Sequence, residues 1–379
     1  MIPAFNFQGV PDSVAADELR GEVRAFIATE LAGVPAIERA RSWTGADPVF
    51  SSKMGKRGWI GMTWPPEYGG AGRSLAERYV VVEEMLAAGA PVGAHWIADR
   101  QTGPLLLRFG TEEQRHALLP RIAAGELYTC IGMSEPDVGS DLAAVRTRAE
   151  PVDGGFRING TKLWTTNAHR AHYMLLFCRT ESGSERHNGT SQLLVDLTLP
   201  GIIVRPIVDL TGESHFNEVT FQDVNVPRAA LVGEQGNGWA QVMSELSYER
   251  SGPERFLSSM TLLIELLRRI SGNASLADQA AVGRLVAHLA SLRQMSRGVA
   301  DRLERGEDPS LEAAVVKDLG AKFEQDIPDV VRQLIEANAA DPEFRNLLAY
   351  MVCSVPAYSL RGGTRQILRG IIARGLGLR

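Results

Sequence analysis

The sequence predicts an α+β fold in which a helical domain, a small antiparallel β-domain and a helical bundle follow one another. Apolar residues recur at three- and four-residue steps before about residue 127, as on the buried faces of helices. Short alternating segments rich in Val, Ile, Thr and Phe then fill residues 128–232, which is typical of strands. Long amphipathic runs return afterwards, so we predict domains at 1–127, 128–232 and 233–379.

Composition excludes several classes of protein. A chain of 379 residues is long enough for two or three domains, and its net charge of −5 argues against a dedicated nucleic-acid binder. No apolar run reaches transmembrane length, and the N-terminus does not resemble a signal peptide. The three cysteines are far apart and form no C-x-x-C motif, so we expect free, buried thiols and a cytoplasmic location.

The N-terminal domain is read as helices around one rigid loop. Apolar residues recur at helical spacing from Val14 to Leu31, and helix resumes over Leu75–Leu86. Between them, Trp64–Gly72 is rich in Pro and Gly and predicts a turn. Thr111 precedes two acidic residues, which suits the start of a further helix.

The middle and C-terminal domains have their own signals. Gly154-Gly155 separates Arg146–Val152 from Phe156–Asn159, as in a β-hairpin. Further strands are predicted at Tyr173–Cys178, Gln192–Asp196, Ile202–Arg205 and Glu218–Gln222. Long amphipathic helices are predicted at Leu257–Ile270, Ala280–Leu303 and Leu311–Asn338.

Two stretches of the middle domain carry the strongest functional signal. Met133–Asp141 and Asn159–Asn167 combine Gly and small hydroxyl residues with a single Trp and paired Thr. Either stretch alone would predict only a turn. Their joint occurrence indicates a cradle for a flat cofactor that forms hydrogen bonds.

The order of motifs along nearly the whole chain resembles that of the acyl-CoA dehydrogenase family. The resemblance implies a helical domain, a β-domain and a C-terminal four-helix bundle, with FAD as cofactor and an acyl-CoA thioester as substrate. The family oxidises the thioester to the trans-2-enoyl thioester. The segments that carry the resemblance are Trp64–Gly70, Gly110–Gln114, Leu119–Gly125, Ser134–Pro136, Gly139–Asp141, Asn159–Trp164, Val226–Pro227 and Gly362–Ile367.

The resemblance also implies residue roles in the cradle. Met133 and Ser134 would contact the pyrimidine edge of the flavin, and Trp164 would flank the ring. Thr166 would reach toward N5, the atom that accepts the β-hydrogen as hydride. Ser140 would lie nearer the CoA arm. Taken alone, Ser134 and Thr166 are also explained as exposed hydroxyls on strands, and Trp164 is also explained as a core residue.

The family places its catalytic carboxylate at one of two positions. One falls on Gly362, which has no acidic side chain, although its backbone N–H could still bind the thioester oxygen. The other falls on Glu249, whose neighbour Arg250 completes the Glu-Arg pair and is assigned to substrate binding. We therefore expect Glu249 to be the base that removes the α-proton. A solvated helix residue is the alternative, and Pro253 predicts a kink just beyond it.

Two segments depart from the family's pattern. The Arg-x-x-Phe-Gly and Gln-x-x-Gly-Gly segments, with which a neighbouring subunit completes each FAD site, are absent at Ser271–Gln279 and Pro342–Met351. Thr364 and Gln366 remain as candidate flavin contacts. Either a homo-oligomer holds FAD with substituted residues, or a second acyl-CoA dehydrogenase-like chain completes a heterotetramer.

Three functions stay open from sequence. The first is an acyl-CoA dehydrogenase that passes electrons to an electron-transferring flavoprotein. The others are a flavin-poor or half-site subunit of a heteromeric enzyme, and a flavin-dependent oxidase on the same fold. No metal site is expected, because His169 and His172 are three residues apart without an adjacent acidic or Cys partner.

Overall fold

The computed structural model describes residues 5–7, 14–184, 186–272, 274–335 and 341–378, without the side chains of residues 245–249. The chain divides into two compact units. The first, here the helical unit, contains Met1–Gly45, Arg73–Pro91 and Leu246–Arg379; the second, the sheet unit, contains Ala46–Gly72 and Val92–Glu245. In the described part of the chain, no helix is long and apolar enough to cross a membrane.

Helices of both units form where apolar residues recur at helical spacing and where polar side chains cap the first turn. In chain order they are α1 (Val14–Glu30), α2 (Ala36–Arg39), α3 (Pro48–Lys56), α4 (Leu75–Ala88), α5 (Gly103–Phe109), α6 (Glu112–Ala123), α7 (Gly238–Glu249), α8 (Met260–Ile270), α9 (Leu276–Glu304), α10 (Ser310–Leu334), α11 (Pro342–Ser354) and α12 (Arg365–Gly375). Helices α3, α5 and α6 belong to the sheet unit, α7 begins there, and the others belong to the helical unit.

Reciprocal caps set the start of several helices. The hydroxyl of Thr111 accepts a hydrogen bond from the backbone N–H of Gln114, whose side chain bonds back to Thr111. Ser74 and Glu77 form the same arrangement at the start of α4. Each cap satisfies backbone donors that the first turn of a helix leaves unpaired. The predicted helix start at Thr111 is therefore confirmed.

The sheet unit contains one seven-stranded sheet among its described residues. Its strands are β1 (Thr129–Gly132), β2 (Arg148–Val152), β3 (Gly155–Thr166), β4 (Tyr173–Arg179), β5 (Thr190–Asp196), β6 (Ile202–Ile207) and β7 (Phe216–Pro227). The order is β1-β4-β2-β3-β7-β6, with β5 paired to β4. Most neighbours are antiparallel, but β1 and β2 each run parallel to β4, so the sheet is mixed rather than wholly antiparallel as the sequence predicted.

Alternation along β3 and β7 builds the core of this sheet. Phe156 lies opposite Val226, and Ile158 lies opposite Val224, all four being buried. The residues between them point to the other face, as the two-residue period of a strand requires. The longest pairing in the sheet therefore has one buried face, which sets its register.

The α+β fold class predicted from the sequence is confirmed, with differences in detail. Strand β1 was missed, and β3 and β7 extend well beyond their predicted segments. Asn338, the predicted end of α10, lies outside the described residues. The chain does not kink within a continuous helix at Pro253: α7 ends at Glu249, and Pro253 begins a separate short 3-10 helix. Proline lacks the N–H that would continue the helix, which explains the break.

Candidate functional site

A short segment after β1 forms the first part of the candidate cradle. Met133 and Ser134 follow the last strand residue and are half-buried. The Ser134 carbonyl accepts a hydrogen bond of 2.8 Å from the backbone N–H of Leu163, which lies in β3. The two stretches singled out in the sequence are therefore joined through their backbones.

A buried ion pair lies directly beneath this segment. The Lys162 ammonium donates to the Met133 carbonyl and to Oε1 of Glu135, both at 2.9 Å. The Lys162 side chain is 0% exposed and that of Glu135 is 5% exposed. The carboxylate also accepts hydrogen bonds from the backbone N–H groups of Arg146 at 2.8 Å and Thr147 at 2.9 Å.

Protonation of this pair follows from burial and charge. Burial lowers the pKa of Lys162, although the Glu135 charge opposes the shift. Burial by itself would raise the pKa of Glu135, but the Lys162 charge and hydrogen bonds from Thr147 and Lys162 outweigh it and hold that pKa below its usual range. Each charge therefore favours the ionised form of its partner.

Trp164 is held in an irregular part of β3. The register between β3 and β7 shifts between Lys162 and Thr165, and Trp164 has a positive φ of 60°. Its side chain is 55% exposed and meets the Phe216 ring edge-on, with centroids 5.9 Å apart. A large aromatic residue in a left-handed conformation is uncommon and needs support from its surroundings. The bulge thus presents an indole on the surface of the sheet unit.

Thr166 closes the cradle at the end of β3. It pairs with Phe216 in the register of β7 and is half-buried. The next residue, Asn167, also has a positive φ and donates from its backbone to the carbonyl of His215 at 2.7 Å. This turn fixes the direction in which the strand ends, and with it the place of Thr166.

Ser140 lies apart from the buried ion pair, in an exposed turn. The neighbouring Asp141 carboxylate is 3.7 Å from the guanidinium of Arg186, in the loop between β4 and β5. Arg179 holds this loop by donating to the carbonyls of Asn188 at 2.9 Å and Ala143 at 3.2 Å. The exposed Ser140 turn thus lies beside Arg186 of that loop.

In the helical unit, the predicted turn at Gly362 is left-handed. Gly362 and Gly363 have φ values of 67° and 98°, which disfavour any residue with a side chain. A Cβ atom at Gly362 would lie 2.9 Å from Nη2 of Arg255, and one at Gly363 would lie 3.7 Å from Nη2 of Arg250. Both arginines are buried. Two guanidinium groups therefore surround the position that an acidic residue occupies in one branch of the family.

A second ion pair, between the half-buried Arg361 and the buried Glu324, supports the approach to this turn. Nη2 of Arg361 donates to Glu324 at 2.8 Å, to the Ser258 hydroxyl at 2.8 Å and to the Glu254 carbonyl at 3.0 Å. Its guanidinium also lies over the ring of Tyr358, 4.2 Å from the centroid. Cation–π contact and charged hydrogen bonds together hold the residue that precedes Gly362.

The remaining predicted residues have plainer positions. Thr364 is the N-cap of α12, its hydroxyl accepting from the Ile367 N–H at 3.4 Å, and Gln366 is exposed in the first turn. Glu249 is the last residue of α7, but its side chain lies outside the described residues. Its proposed role as base therefore stays a prediction, as do the roles of the other site residues.

Sequence reasoning missed three supporting residues. Lys162 and Glu135 lie inside the motifs that were recognised, but no role was assigned to them. A Lys and a Glu inside motifs of small and hydroxyl residues give only a weak signal, since both types are usually exposed unless paired. Arg255 carries no comparable signal, because its distance to Gly362 depends on packing within the helical unit.

The fold and the cradle define a class: helix–sheet–helix proteins with an exposed indole beside a strand end. The sequence matches family models described as the N-terminal domain of acyl-CoA dehydrogenase over residues 14–126, the middle domain over 130–224 and the C-terminal domain over 236–377. These matches span most of the chain. The chain belongs to the acyl-CoA dehydrogenase family and is an oxidoreductase of that kind.

Individual relatives agree with this assignment. The acyl-CoA dehydrogenase IpdE1 of Mycobacterium tuberculosis is 35% identical over 382 residues, covering 96% of this chain and 97% of that protein. Among solved structures, the Tcur3481-Tcur3483 steroid ACAD superposes with a TM-score of 0.88 at 28% identity, covering 97% of this chain and 99% of the other. The ChsE4-ChsE5 complex of M. tuberculosis gives a TM-score of 0.82 at 29% identity, with coverages of 98% and 100%.

Proposed function

We propose that this chain catalyses FAD-dependent α,β-dehydrogenation of an acyl-CoA thioester to the trans-2-enoyl thioester, with Glu249 as the base. The single observation that carries the proposal is that Met133 and Ser134, after β1, are joined by a backbone hydrogen bond to the end of β3, which contains Trp164 and Thr166. Family membership supplies the reaction class. Proteins of this family are generally FAD-dependent.

The cradle residues fit the isoalloxazine ring of FAD. The exposed Trp164 indole offers a flat aromatic face, and flavins stack on such faces. The Met133 and Ser134 carbonyls are both held toward the protein, which leaves the outer side of this segment for a ligand. When bound, FAD supplies the hydride acceptor, its N5 atom, as the organic chemistry of flavins requires.

On the chain's own side, two functions are needed. The α-proton of a thioester is weakly acidic, so a carboxylate must be held against it; we assign this role to Glu249. The thioester oxygen needs a donor as charge develops on it, and we assign this to the backbone N–H of Gly362. Arg250 and Arg255, buried beside the Gly362–Gly363 turn, add positive charge close to that donor.

We further infer that a polycyclic acyl group is the substrate and that a second acyl-CoA dehydrogenase-like chain completes the FAD site. The Tcur3481-Tcur3483 structure is a steroid ACAD whose name pairs two chains, which supports both points. The ChsE4-ChsE5 structure is a complex of two chains, which supports the second point. Two family segments for the far end of FAD have no counterpart at residues 271–279 and 342–351. Electrons would leave to an electron-transferring flavoprotein.

Two measurements test the proposal: the number of flavins bound per chain, and the loss of flavin absorbance when an acyl-CoA reduces the flavin. The chain is purified alone and co-expressed with a second acyl-CoA dehydrogenase-like chain, and flavin absorbance is compared with protein concentration. Anaerobic addition of a steroid side-chain acyl-CoA should bleach the flavin, with octanoyl-CoA as the comparison substrate. Absence of flavin in both preparations would overturn the proposal. Rapid oxygen consumption after re-aeration would identify an oxidase instead.

A further inference from the structure

We propose that the buried Lys162–Glu135 pair is a positioning device that aims the Ser134 N–H at the flavin and raises the flavin's reduction potential. The inference rests on the proposed function, because it assumes that FAD lies against Met133 and Ser134. It assigns a role to two residues that the proposed reaction leaves unused.

Lys162 sets the orientation of the Met133–Ser134 peptide. Its carbonyl accepts a 2.9 Å hydrogen bond from the Lys162 ammonium, which lies in the interior of the sheet unit. In a planar trans peptide the N–H points opposite to the C=O. The Ser134 N–H is therefore directed away from Lys162 and toward the outer side of the segment, where a ligand's carbonyl oxygen can accept it.

The Lys162–Glu135 pair connects three segments of the sheet unit. Lys162 belongs to β3, Met133 follows β1, and the Glu135 carboxylate accepts from the backbone at Arg146 and Thr147, just before β2. Trp164 lies only two residues beyond Lys162, in the bulge. One ion pair thus fixes, at once, the strand end, the bulge with its indole and the segment that leads into β2.

The presence of an ion pair at this buried position needs a reason other than stability. A buried ion pair is often no more stabilising than apolar side chains of similar volume, because both charges lose their hydration. Stability alone therefore does not explain two nearly inaccessible charges. An apolar pair would supply neither a hydrogen-bond donor to the Met133 carbonyl nor a charge behind the cradle.

The orientation of that charge favours reduction. The ammonium contacts Met133, on the cradle side, whereas the carboxylate also contacts the backbone at Arg146 and Thr147. The positive end of the pair therefore faces the segment assigned to the pyrimidine edge. Reduction places negative charge at that edge, and a nearby positive charge in a low-dielectric interior stabilises it.

The experiment compares variants of the FAD-loaded protein, together with its partner chain where the complex requires one. Lys162→Met removes the donor and the positive charge, whereas Lys162→Arg keeps both. Glu135→Gln keeps Lys162 and removes the negative charge. Lys56→Met, at an exposed position of α3 in the same unit, is the matched control. Measured quantities are FAD affinity of the apoprotein, reduction potential by anaerobic dye equilibration, and melting temperature.

We expect Lys162→Met to weaken FAD binding by about tenfold, the equivalent of one lost charged hydrogen bond, and to lower the potential of the bound flavin. Lys162→Arg should recover part of both. Glu135→Gln removes the negative charge while Lys162 stays in place, so it should shift the potential upward. The opposite signs in the two variants would not arise from a purely structural role.

Unchanged potentials in Lys162→Met and Glu135→Gln would overturn the inference, even if both variants melt at lower temperature. Should Lys162→Met fail to fold, the upward shift in Glu135→Gln decides alone. A wild-type complex that binds no FAD would overturn the proposed function as well. A wild type that binds FAD and is bleached by acyl-CoA, with unshifted variants, would overturn this inference only.

Discussion

Each unit supports a backbone segment of the candidate site with an ion pair, but the two pairs join different parts of the chain. In the sheet unit, Lys162 of one continuous motif donates to the Met133 carbonyl and to Glu135 of the other motif. In the helical unit, Arg361 reaches Glu324 and Ser258, which are far away in sequence. The first arrangement joins two recognisable motifs that the sheet brings side by side. The second exists only once the helices have packed.

The two units also differ in the chemical groups that they present. The cradle in the sheet unit presents backbone and an exposed indole, whereas the Gly362–Gly363 turn in the helical unit has no side chain and is surrounded by arginines. The sheet unit thus presents a flat aromatic surface, and the helical unit presents a turn beside two arginines. Four predictions test this division, beginning with the largest expected effect.

Replacing Glu249 tests whether the helical unit supplies the base. We expect Glu249→Gln to lower turnover by about a thousandfold, within the range for loss of a general base, while FAD stays bound. Steady-state and anaerobic half-reaction kinetics measure the loss, and flavin absorbance measures retention. Glu304→Gln, at the exposed end of α9, should leave turnover unchanged. Normal turnover in Glu249→Gln with bound flavin would refute the assignment.

Removing one partner of the second ion pair tests how far the helical unit depends on packing. Glu324→Leu leaves the half-buried Arg361 without its counter-charge and should cost about 3 kcal/mol of stability, at the low end of the range for breaking a buried pair. The double variant Glu324→Met with Arg361→Met should cost less than the single variant. Both effects are measured by guanidinium unfolding of the full chain.

A surface pair provides the control for that experiment. Arg332 and Asp329 form an i,i+3 pair whose side chains are 58% and 60% exposed. Arg332→Ala should change stability by about 1 kcal/mol or less, because exposed ion pairs are weak. Equal losses for Glu324→Leu and Arg332→Ala would contradict the contrast between buried and exposed pairs.

A side chain at the glycine turn tests the space beside Arg255. Gly362→Ala must adopt a positive φ and place Cβ 2.9 Å from the Arg255 guanidinium, so we expect a loss of about 1–3 kcal/mol. Gly370→Ala is the matched control, since Gly370 lies within α12 and a Cβ there meets nothing within 4 Å. That substitution should be neutral or stabilising. Thermal unfolding of both variants decides, and an equal response would refute the claim.

The smallest effect concerns acid stability of the sheet unit. The folded-state pKa of Glu135 is below its unfolded value, so its contribution is fully present above about pH 4.3 and is lost as pH falls through the lower, folded pKa. The stability difference between wild type and Glu135→Gln should therefore shrink as pH falls below about 4. Denaturant unfolding at pH 7, 5 and 3 measures it. A difference that stays constant down to pH 3 would contradict the pKa direction.

Much of the fold was predictable because local patterns agreed with it. The capping signal at Thr111 and the alternation around Phe156 each correspond to an element in the structure. Strand β1 was missed because four residues give too short a pattern, and its pairing is a parallel contact with β4, distant along the chain. Pro253 was recognised as a disruption, but whether it kinks or ends a helix depends on what the chain does next.

The sequence by itself determined the family, the order of helices and strands, and the two motifs that meet at the cradle. It also established that position 362 has no acid. Only the tertiary structure decided that Lys162 supports the Met133 carbonyl, that Trp164 lies in a bulge, and that Arg255 fills the space beside Gly362. The physical reason is that motifs and hydrophobic periods are local, whereas the partner of a buried charge is chosen by whichever distant segment packs against it.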